Sequence, residues 1–325
     1  MIEEGKLIMN LRVVYSSDNN YAQHVGVSML SLFQNNKEFN HIDVYLIENN
    51  ISIENKNNLK LICKKYNRVI QFIKFDGITN KLKKITGNPI SINAYARLFL
   101  SHVLGENVDK VIYLDCDSII NHSLYELWNI DVNEYYAAGV SDTVSDHTKL
   151  KVNLDVNSLY INSGMLLINL KKWRDENIEQ KFIEFINSYN GKVFHHDQGT
   201  INGVLNKKLL ILHPKYNCMT TFFTMKREEM MQYYGLKKYY TEAELLDAIT
   251  NPVFIHYTPA FVNRPWIKGS KHPLASLYKT YLEMTPWKGT DLFEDNRGKG
   301  EKLVSFLYNY LPFKMATRVC NLIFK

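Results

Sequence analysis

The sequence predicts an α/β protein, with a mostly parallel sheet covered by helices on both faces. Three observations lead to that class. Short runs rich in Val, Ile, Tyr and Phe alternate with amphipathic stretches through the first half of the chain. Its 325 residues, 46% apolar and 22% charged, suit a soluble globular protein with a sizeable core. Several of the apolar runs end abruptly in polar side chains, as strands do where a parallel sheet collects its ligands.

The strands expected first are "LRVVYSS" (11 to 17), "IDVYLIE" (42 to 48), "VIQFIKF" (69 to 75) and "KVIYLD" (110 to 115). Helices are expected between them, over Tyr21 to Phe33, Ser52 to Tyr66 and Ile92 to Leu104. In the third, Tyr95, Leu98, Phe99 and His102 recur at helical spacing. Beyond residue 136 the order changes. "YAAGVSD" and "LYINSGMLLINL" read as further strands, followed by a helix from Lys171 to Tyr189 and a shorter one from Asp197 to Leu205. Thr143 to Ser158 has no clear period and reads as a mobile loop over a site. Residues 219 to 250, rich in Met, Tyr and charges, read as a helical insertion, and the Tyr and Met content of 219 to 240 as either an acceptor platform or an ordinary helical face. At the end, Leu303, Phe306, Leu307 and Tyr310 form one helical stripe, Pro312 interrupts, and Met315, Val319, Leu322 and Ile323 resume it.

The formal charge of +6 is unevenly placed. From Val262 onward there are 11 Lys+Arg against 5 Asp+Glu, so the rest is balanced. A basic amphipathic end suits an anionic membrane surface, and equally a terminal helix packing on its own chain. Nucleic-acid binding is disfavoured, because the basic excess is terminal and carries no recognition motif. Cys63, Cys116, Cys218 and Cys320 lie far apart with no CxxC pairing, which reads as reduced thiols in a cytoplasmic protein. The early acidic residues of "MIEEGKLIMNLRVVY" and the lack of a long apolar run argue against a cleaved signal.

Two strand ends carry chemistry. "YSSDNNY" offers Ser16, Ser17, Asp18 and Asn20. In "LDCDS", Asp115 and Asp117 are two apart, so a regular strand would point both to one side. Paired carboxylates repel unless a cation neutralises them, and oxygen ligands favour Mg²⁺ or Mn²⁺. Aspartates that merely cap the following turn are the plainer alternative.

Six blocks in order carry a resemblance: "VVYSSDNNYA" (13 to 22), "INAYARLFL" (92 to 100), "KVIYLDCDSII" (110 to 120), "LYINSGMLLINLKKW" (159 to 173), "HHDQGTINGVL" (195 to 205) and "FIHYTPAFVNRPW" (254 to 266). Over residues 11 to about 270 the chain resembles glycosyltransferase family 8, retaining enzymes that include lipopolysaccharide hexosyltransferases and glycogenin. The resemblance implies a Rossmann-like GT-A domain over 1–270 with a basic helical extension over 271–325. It implies transfer of glucose or galactose from a UDP-sugar to a glycan, glycolipid or glycoprotein acceptor, at the inner face of the plasma membrane.

Roles follow by position. Ser16, Ser17, Asp18 and Asn20 would hold the uridine, and Arg97 would lie beside the donor phosphates or sugar. Asp115 and Asp117, with Cys116 between them, would bind Mn²⁺ together with His256. Asn162, Ser163, Asp142, Asp197 and Gln198 would line the donor sugar, with Gln198 beside the anomeric carbon. One departure stands out: "HYTPAFVNRPW" has Pro259 where the family carries glycine, and Arg264 in place of a phosphate-gripping lysine. On residue type alone, His256 also reads as a satisfied strand-end histidine, Asp197 as an N-cap, and Trp173 and Trp266 as packing. His195 and His196 read as surface or supporting residues. Two rivals remain: a haloacid-dehalogenase-type phosphatase, whose DxD lies near the N-terminus and precedes an acidic pair absent here, and a non-catalytic UDP-sugar or glycan binder.

Overall fold

The protein is described from a computed structural model, over residues 2–3, 6–7, 9–74 and 95–323. The expected strands form. Those of the central sheet and its neighbour are β1 (Asn10–Asp18), β2 (His41–Asn49), β3 (Val69–Lys74), β4 (Lys110–Leu114), β5 (Ser118–Ile120), β6 (Ala137–Ser141), β7 (Ile161–Asn169), β8 (Leu209–Ile211), β9 (Cys218–Met219) and β10 (Phe254–His256). Seven of them make one sheet in the order β8-β6-β7-β4-β1-β2-β3. Only β7 runs antiparallel to its neighbours there. A second sheet, β9-β10-β5, sits beside it.

Both faces are covered, as near-continuous apolar strands require. Leu11, Val13 and Tyr15 of β1 enter one core cluster while Val14 enters the other. Val44 and Leu46 of β2 likewise oppose Tyr45 and Ile47. This period-2 alternation divides the interior into two layers. Helix α1 (Ala22–Gln34) lies in the first layer, buried along nearly its whole length. Helix α2 (Ile53–Lys65) is capped by Ser52, whose side chain accepts from Asn55 N.

Five expectations change in detail. Asp115 and Asp117 do not continue β4; they occupy a bend between β4 and β5. A directed hydroxyl chain holds that bend. Ser118 Oγ donates to Asp115 O at 2.6 Å, which leaves Ser28 to donate to Ser118 and Tyr15 to donate to Ser28. The helix expected over Ile92 to Leu104 is a 3-10 turn, Ala96–Phe99, running into a single helical turn, Leu100–Val103. Ile92 to Ala94 lie outside the described residues, as does Phe75 of the third predicted strand. Tyr95, Leu98 and Phe99 are buried, but His102 is exposed.

The region from Thr143 to Ser158 contains helix α3 (Asp146–Leu150), started by Ser145 accepting from Thr148 N. The helix expected from Lys171 to Tyr189 is two helices, α4 (Leu170–Asp175) and α5 (Ile178–Ser188), broken at left-handed Asn177. On one straight helix Trp173 and Phe182 would face opposite ways. The break lets both enter the same cluster with ring centroids 5.2 Å apart.

Helix α6 (His196–Leu205) follows, with left-handed His195 rather than Asp197 at its N-cap. The insertion forms helically, as the turn Thr220–Thr224 and helices α7 (Arg227–Tyr234) and α8 (Glu242–Thr250). Helix α9 (Ala275–Leu282) belongs to the main core through Tyr278, Tyr281 and Leu282. Helices α10 (Lys299–Tyr310) and α11 (Phe313–Ile323) end the chain on either side of Pro312. Their apolar residues divide: Leu307 and Ala316 are buried, whereas Phe306, Tyr310 and Met315 are each more than half exposed. Among the described residues, no helix is long and apolar enough to cross a membrane.

Candidate functional site

Strand order reverses between β4 and β1, and the crevice at such a reversal is where open α/β sheets bind ligands. A cavity of about 360 Å³ opens there. Its wall includes Ser16, Ser17 and Asp18 from the end of β1, Asp115, Cys116 and Asp117 from the bend, and Arg97, Tyr113 and Arg264. Asn20 is exposed and does not line it. Asp18 uses its carboxylate locally, accepting from the backbone N–H groups of Asn20 and Tyr21. Tyr21 lines the cavity and was not foreseen. Cys116 turns inward; its Sγ donates to Ser16 O and burial pushes its thiol far up, so it lines the site as a small packed group.

Asp115, Asp117 and His256 each bring a ligand atom within 4.8 Å of the others. His256 Nε2 lies 3.2 Å from Asp117 Oδ1 and 3.7 Å from Asp115 Oδ2. Its other nitrogen, Nδ1, is 3.1 Å from Asn217 Oδ1. Asn217 in turn donates to Asn162 Oδ1 at 2.8 Å, so its Oδ1 is the acceptor toward His256. That contact fixes the ring and aims Nε2 at the carboxylates, as metal-binding histidines require. Gly164 makes room for it: a Cβ there would lie 2.1 Å from His256 Cε1. Two carboxylates and one imidazole form a donor set suited to Mn²⁺ or Mg²⁺.

Arg97 is buried and joins several groups at once. It donates to Asp115 Oδ1 (2.8 Å) and Ser163 O (2.6 Å), and its Nε is 3.0 Å from Asp197 Oδ2. Its guanidinium also lies over the Tyr113 ring, 4.3 Å from the centroid. Arg264 contacts Asp117 Oδ2 at 2.9 Å, and its Nε donates to Tyr257 O.

The electrostatics follow from burial and these neighbours. Burial alone would raise the Asp117 carboxyl, but His256 and Arg264 outweigh it and hold it well below the usual range. For His256, burial disfavours charge, yet Asp117 and then Asp115 raise its pKa overall. Asp197 moves upward, because its burial outweighs Arg97.

The predicted sugar-lining residues meet in one network. Asp142 Oδ2 accepts from Asn162 Nδ2 (3.1 Å) and Gln198 Nε2 (2.8 Å), while Gln198 Oε1 accepts from Ser163 N (3.0 Å). Asn217 and Asn162 then link His256 to Asp142 through side-chain amides. Trp173 and Trp266 are packed among apolar neighbours. Asn217, Gly164 and Tyr113 had not been assigned roles. Gly164 lies within a recognised block, and Tyr113 stands two residues before Asp115, but nothing local marks Asn217.

The model of the family described as Glycosyl transferase family 8 matches residues 12–269. General stress protein A of Bacillus subtilis is 30% identical over 282 residues, covering 85% of this chain and 94% of its own length. Lipopolysaccharide 1,2-glucosyltransferase of Escherichia coli K12 is 29% identical, over 92% of this chain and 84% of that protein. The solved galactosyltransferase LgtC, in complex with donor and acceptor sugar analogs, aligns with a TM-score of 0.70 at 24% identity, covering 85% of this chain and 96% of LgtC.

Proposed function

Because the chain belongs to glycosyltransferase family 8, we propose that it is a retaining, Mn²⁺-dependent hexosyltransferase moving glucose or galactose from a UDP-sugar to a surface glycan, glycolipid or glycoprotein. One observation carries this reading: Asp115, Asp117 and His256 converge at the strand-order reversal with Arg264 beside them. Mg²⁺ fits the same donor set. When bound, the cation supplies positive charge against the leaving diphosphate.

The chain's own groups divide the remaining work. Ser16, Ser17 and Asp18 border the part of the cavity assigned to the nucleotide. Arg264 presents a planar guanidinium suited to phosphate oxygens, replacing a point-charge lysine with a group able to grip two oxygens. Asp142, Asn162, Ser163 and Gln198 hold one another by hydrogen bonds and so offer a preorganised polar wall to the donor sugar.

Front-side transfer fits this wall. The bond from the anomeric carbon to the phosphate oxygen breaks, with its electrons going to UDP. The acceptor hydroxyl oxygen bonds to the same carbon on the same face, and its proton passes to the departing phosphate oxygen. A covalent route needs a free nucleophile. Asp197 is engaged by Arg97 and Ser163, and Asp142 accepts from Asn162, Gln198 and Thr143. Gln198 is uncharged and held at both ends, which suits contact with the developing positive sugar more than attack on it.

We also propose that α10 and α11 rest on an anionic membrane at its cytoplasmic face. Exposed Phe306, Tyr310 and Met315, together with Lys302, Lys314 and Arg318, support this placement. The central test is a screen of UDP-sugars for slow hydrolysis with and without Mn²⁺. UDP release from UDP-glucose or UDP-galactose only with the metal is the expected result. Phosphomonoester hydrolysis without UDP release would instead favour a phosphatase, and inert UDP-hexoses would favour a binding protein.

A further inference from the structure

Helix α6 begins on an unusual turn. His195 and His196 both have left-handed backbone, with φ of 57° and 49°, a conformation that glycine or asparagine adopts more cheaply. The turn is tight: a Cβ on Gly199 would lie 1.9 Å from Phe194 O, and His196 N donates to Val193 O at 3.0 Å. It sets Asp197 and Gln198 in the first turn of α6, against Ser163 of the donor-sugar wall. Backbone geometry gives no reason for an imidazole at 195. Its contacts do.

The ring reaches back to the central sheet. His195 Nδ1 lies 3.0 Å from Oη of buried Tyr160, which directly precedes β7. Tyr160 also hydrogen-bonds Gln198, and that contact lowers the phenol's pKa, as a donor to its oxygen does. The Gln198 amide is therefore the donor. Both polar atoms of Gln198 are then engaged: Oε1 accepts from Ser163 N, one Nε2 hydrogen goes to Asp142 at 2.8 Å, and the other to Tyr160. A phenol has a single hydrogen. Tyr160 gives it to His195 Nδ1, which requires a neutral imidazole with its own proton on Nε2.

The surroundings favour that neutral form. His195 is exposed, yet the protein around its ring still disfavours charge and lowers its pKa from the ordinary 6.5. Asp142 opposes the shift, while His196 and Lys151 reinforce it. Lys151 sits over the Phe194 ring at 4.3 Å, and Phe194 stacks on His195 with centroids 4.4 Å apart. The other charged neighbour on α6, Asp197, is turned to Arg97. Protonation would put a hydrogen on Nδ1, so that two donors met across this contact and Tyr160 had to turn its hydroxyl away.

We propose that His195 is a positioning residue for the transfer step: its neutral Nδ1 accepts the Tyr160 hydroxyl hydrogen, and the hydroxyl so oriented holds the Gln198 amide in place. The proposal rests on the transferase reading, which sets Gln198 beside the anomeric carbon. It makes the sugar wall sensitive to acid through a residue that touches neither metal nor nucleotide.

The test uses the full-length protein with Mn²⁺ and whichever UDP-hexose is hydrolysed. It follows kcat from about pH 5 to 8, with UDP affinity read by calorimetry. Wild-type kcat should fall on the acid side through a midpoint below 6.5. His195→Asn supplies a non-titrating oxygen acceptor near the place of Nδ1 and tolerates left-handed backbone, so it should hold the neutral-pH rate and lose this acid limb. His195→Gly keeps the backbone without the acceptor, and Tyr160→Phe removes the hydroxyl. Each should lower kcat about tenfold across the range, the loss of one hydrogen bond, with UDP affinity in Mn²⁺ unchanged. An acid limb that persists in His195→Asn would overturn the proposal, as would wild-type kcat in both His195→Gly and Tyr160→Phe. UDP affinity weakened in step with kcat in both variants would also overturn it, by showing a general structural role. A wild type that hydrolyses no UDP-hexose would be a separate failure, that of the transferase reading, and would take this proposal with it.

Discussion

Gly164 sits where a Cβ would come within 2.1 Å of His256 Cε1 and 2.6 Å of its Nδ1. Alanine there must push the imidazole away from Asn217, and Asn217→Ala removes the same restraint from the other side. Outer partners of metal ligands typically contribute about 10–100-fold to affinity. Both variants should therefore bind Mn²⁺ at least about tenfold more weakly in calorimetry, while far-UV circular dichroism stays that of the wild type; wild-type Mn²⁺ affinity in both would contradict the assigned role. The meeting of Asp115, Asp117 and His256 in one cluster was legible, because carboxylate and imidazole chemistry shows in residue type and block order. Asn217 was not. It lies 39 residues before His256 in a stretch without period or motif, and only the pairing of β9 with β10 brings the two together. Nor did the expected strand geometry bring Asp115 and Asp117 together. The bend held by Ser118 does, through a contact with α1 that strand spacing cannot express.

The loop from Tyr257 to Trp266 carries Arg264, which lines the cavity at the strand-order reversal, and Phe261, which packs on the tail. Phe261 stacks on Tyr308 of α10 with centroids 3.8 Å apart, and its carbonyl accepts from Asn309 Nδ2 at 3.0 Å and from Ser305 Oγ. Tyr233 of α7 and Phe313 of α11 complete an aromatic cluster. The tail thus has two faces, one clamping the loop and one exposed. An aromatic pair contributes about 0.5–1.5 kcal/mol beyond its buried area. Tyr308→Ala should weaken UDP binding in the presence of Mn²⁺ by roughly three- to tenfold, whereas Phe306→Ala on the exposed face should not. Equal effects of the two substitutions on UDP affinity would refute the clamp. The sequence displayed the tail's apolar stripe but not its division, because Leu307 and Phe306 are adjacent in sequence and only the loop's position selects which is buried. Similarly, periodicity ran α4 and α5 together; the break at Asn177 answers to the Trp173–Phe182 contact, a tertiary demand.

At the level of the whole molecule, the segment beyond 270 is tied to the sheet domain through histidines. His24 of α1 lies 2.5 Å from Tyr278 Oη of α9 and packs on Trp266, while Gly26 leaves space for Trp287. Burial pushes His24 down to about 3 from its ordinary 6.5, and burial takes His272 down to about 4. Both are neutral in the folded protein. The unfolded chain takes up their protons below pH 6.5, so their contribution is complete above that pH and is lost as pH falls toward 4. His24 alone should lower stability by about 2 kcal/mol at pH 5 relative to pH 7, measured by urea unfolding. His24→Gln should flatten that pH dependence, and an unchanged slope would rule His24 out as its source. The architecture was legible because strand and helix periods alternate so regularly; the docking of the last 50 or so residues was not, since it depends on close approach to α1. The most direct test of the site is a calorimetric titration of UDP, with and without Mn²⁺, into the wild type, Asp117→Asn and His256→Ala. Mn²⁺ should tighten UDP binding at least about tenfold in the wild type and have no effect in either variant. UDP affinity indifferent to Mn²⁺ in the wild type, or an enhancement intact in both variants, would contradict a cation held between these side chains and the diphosphate.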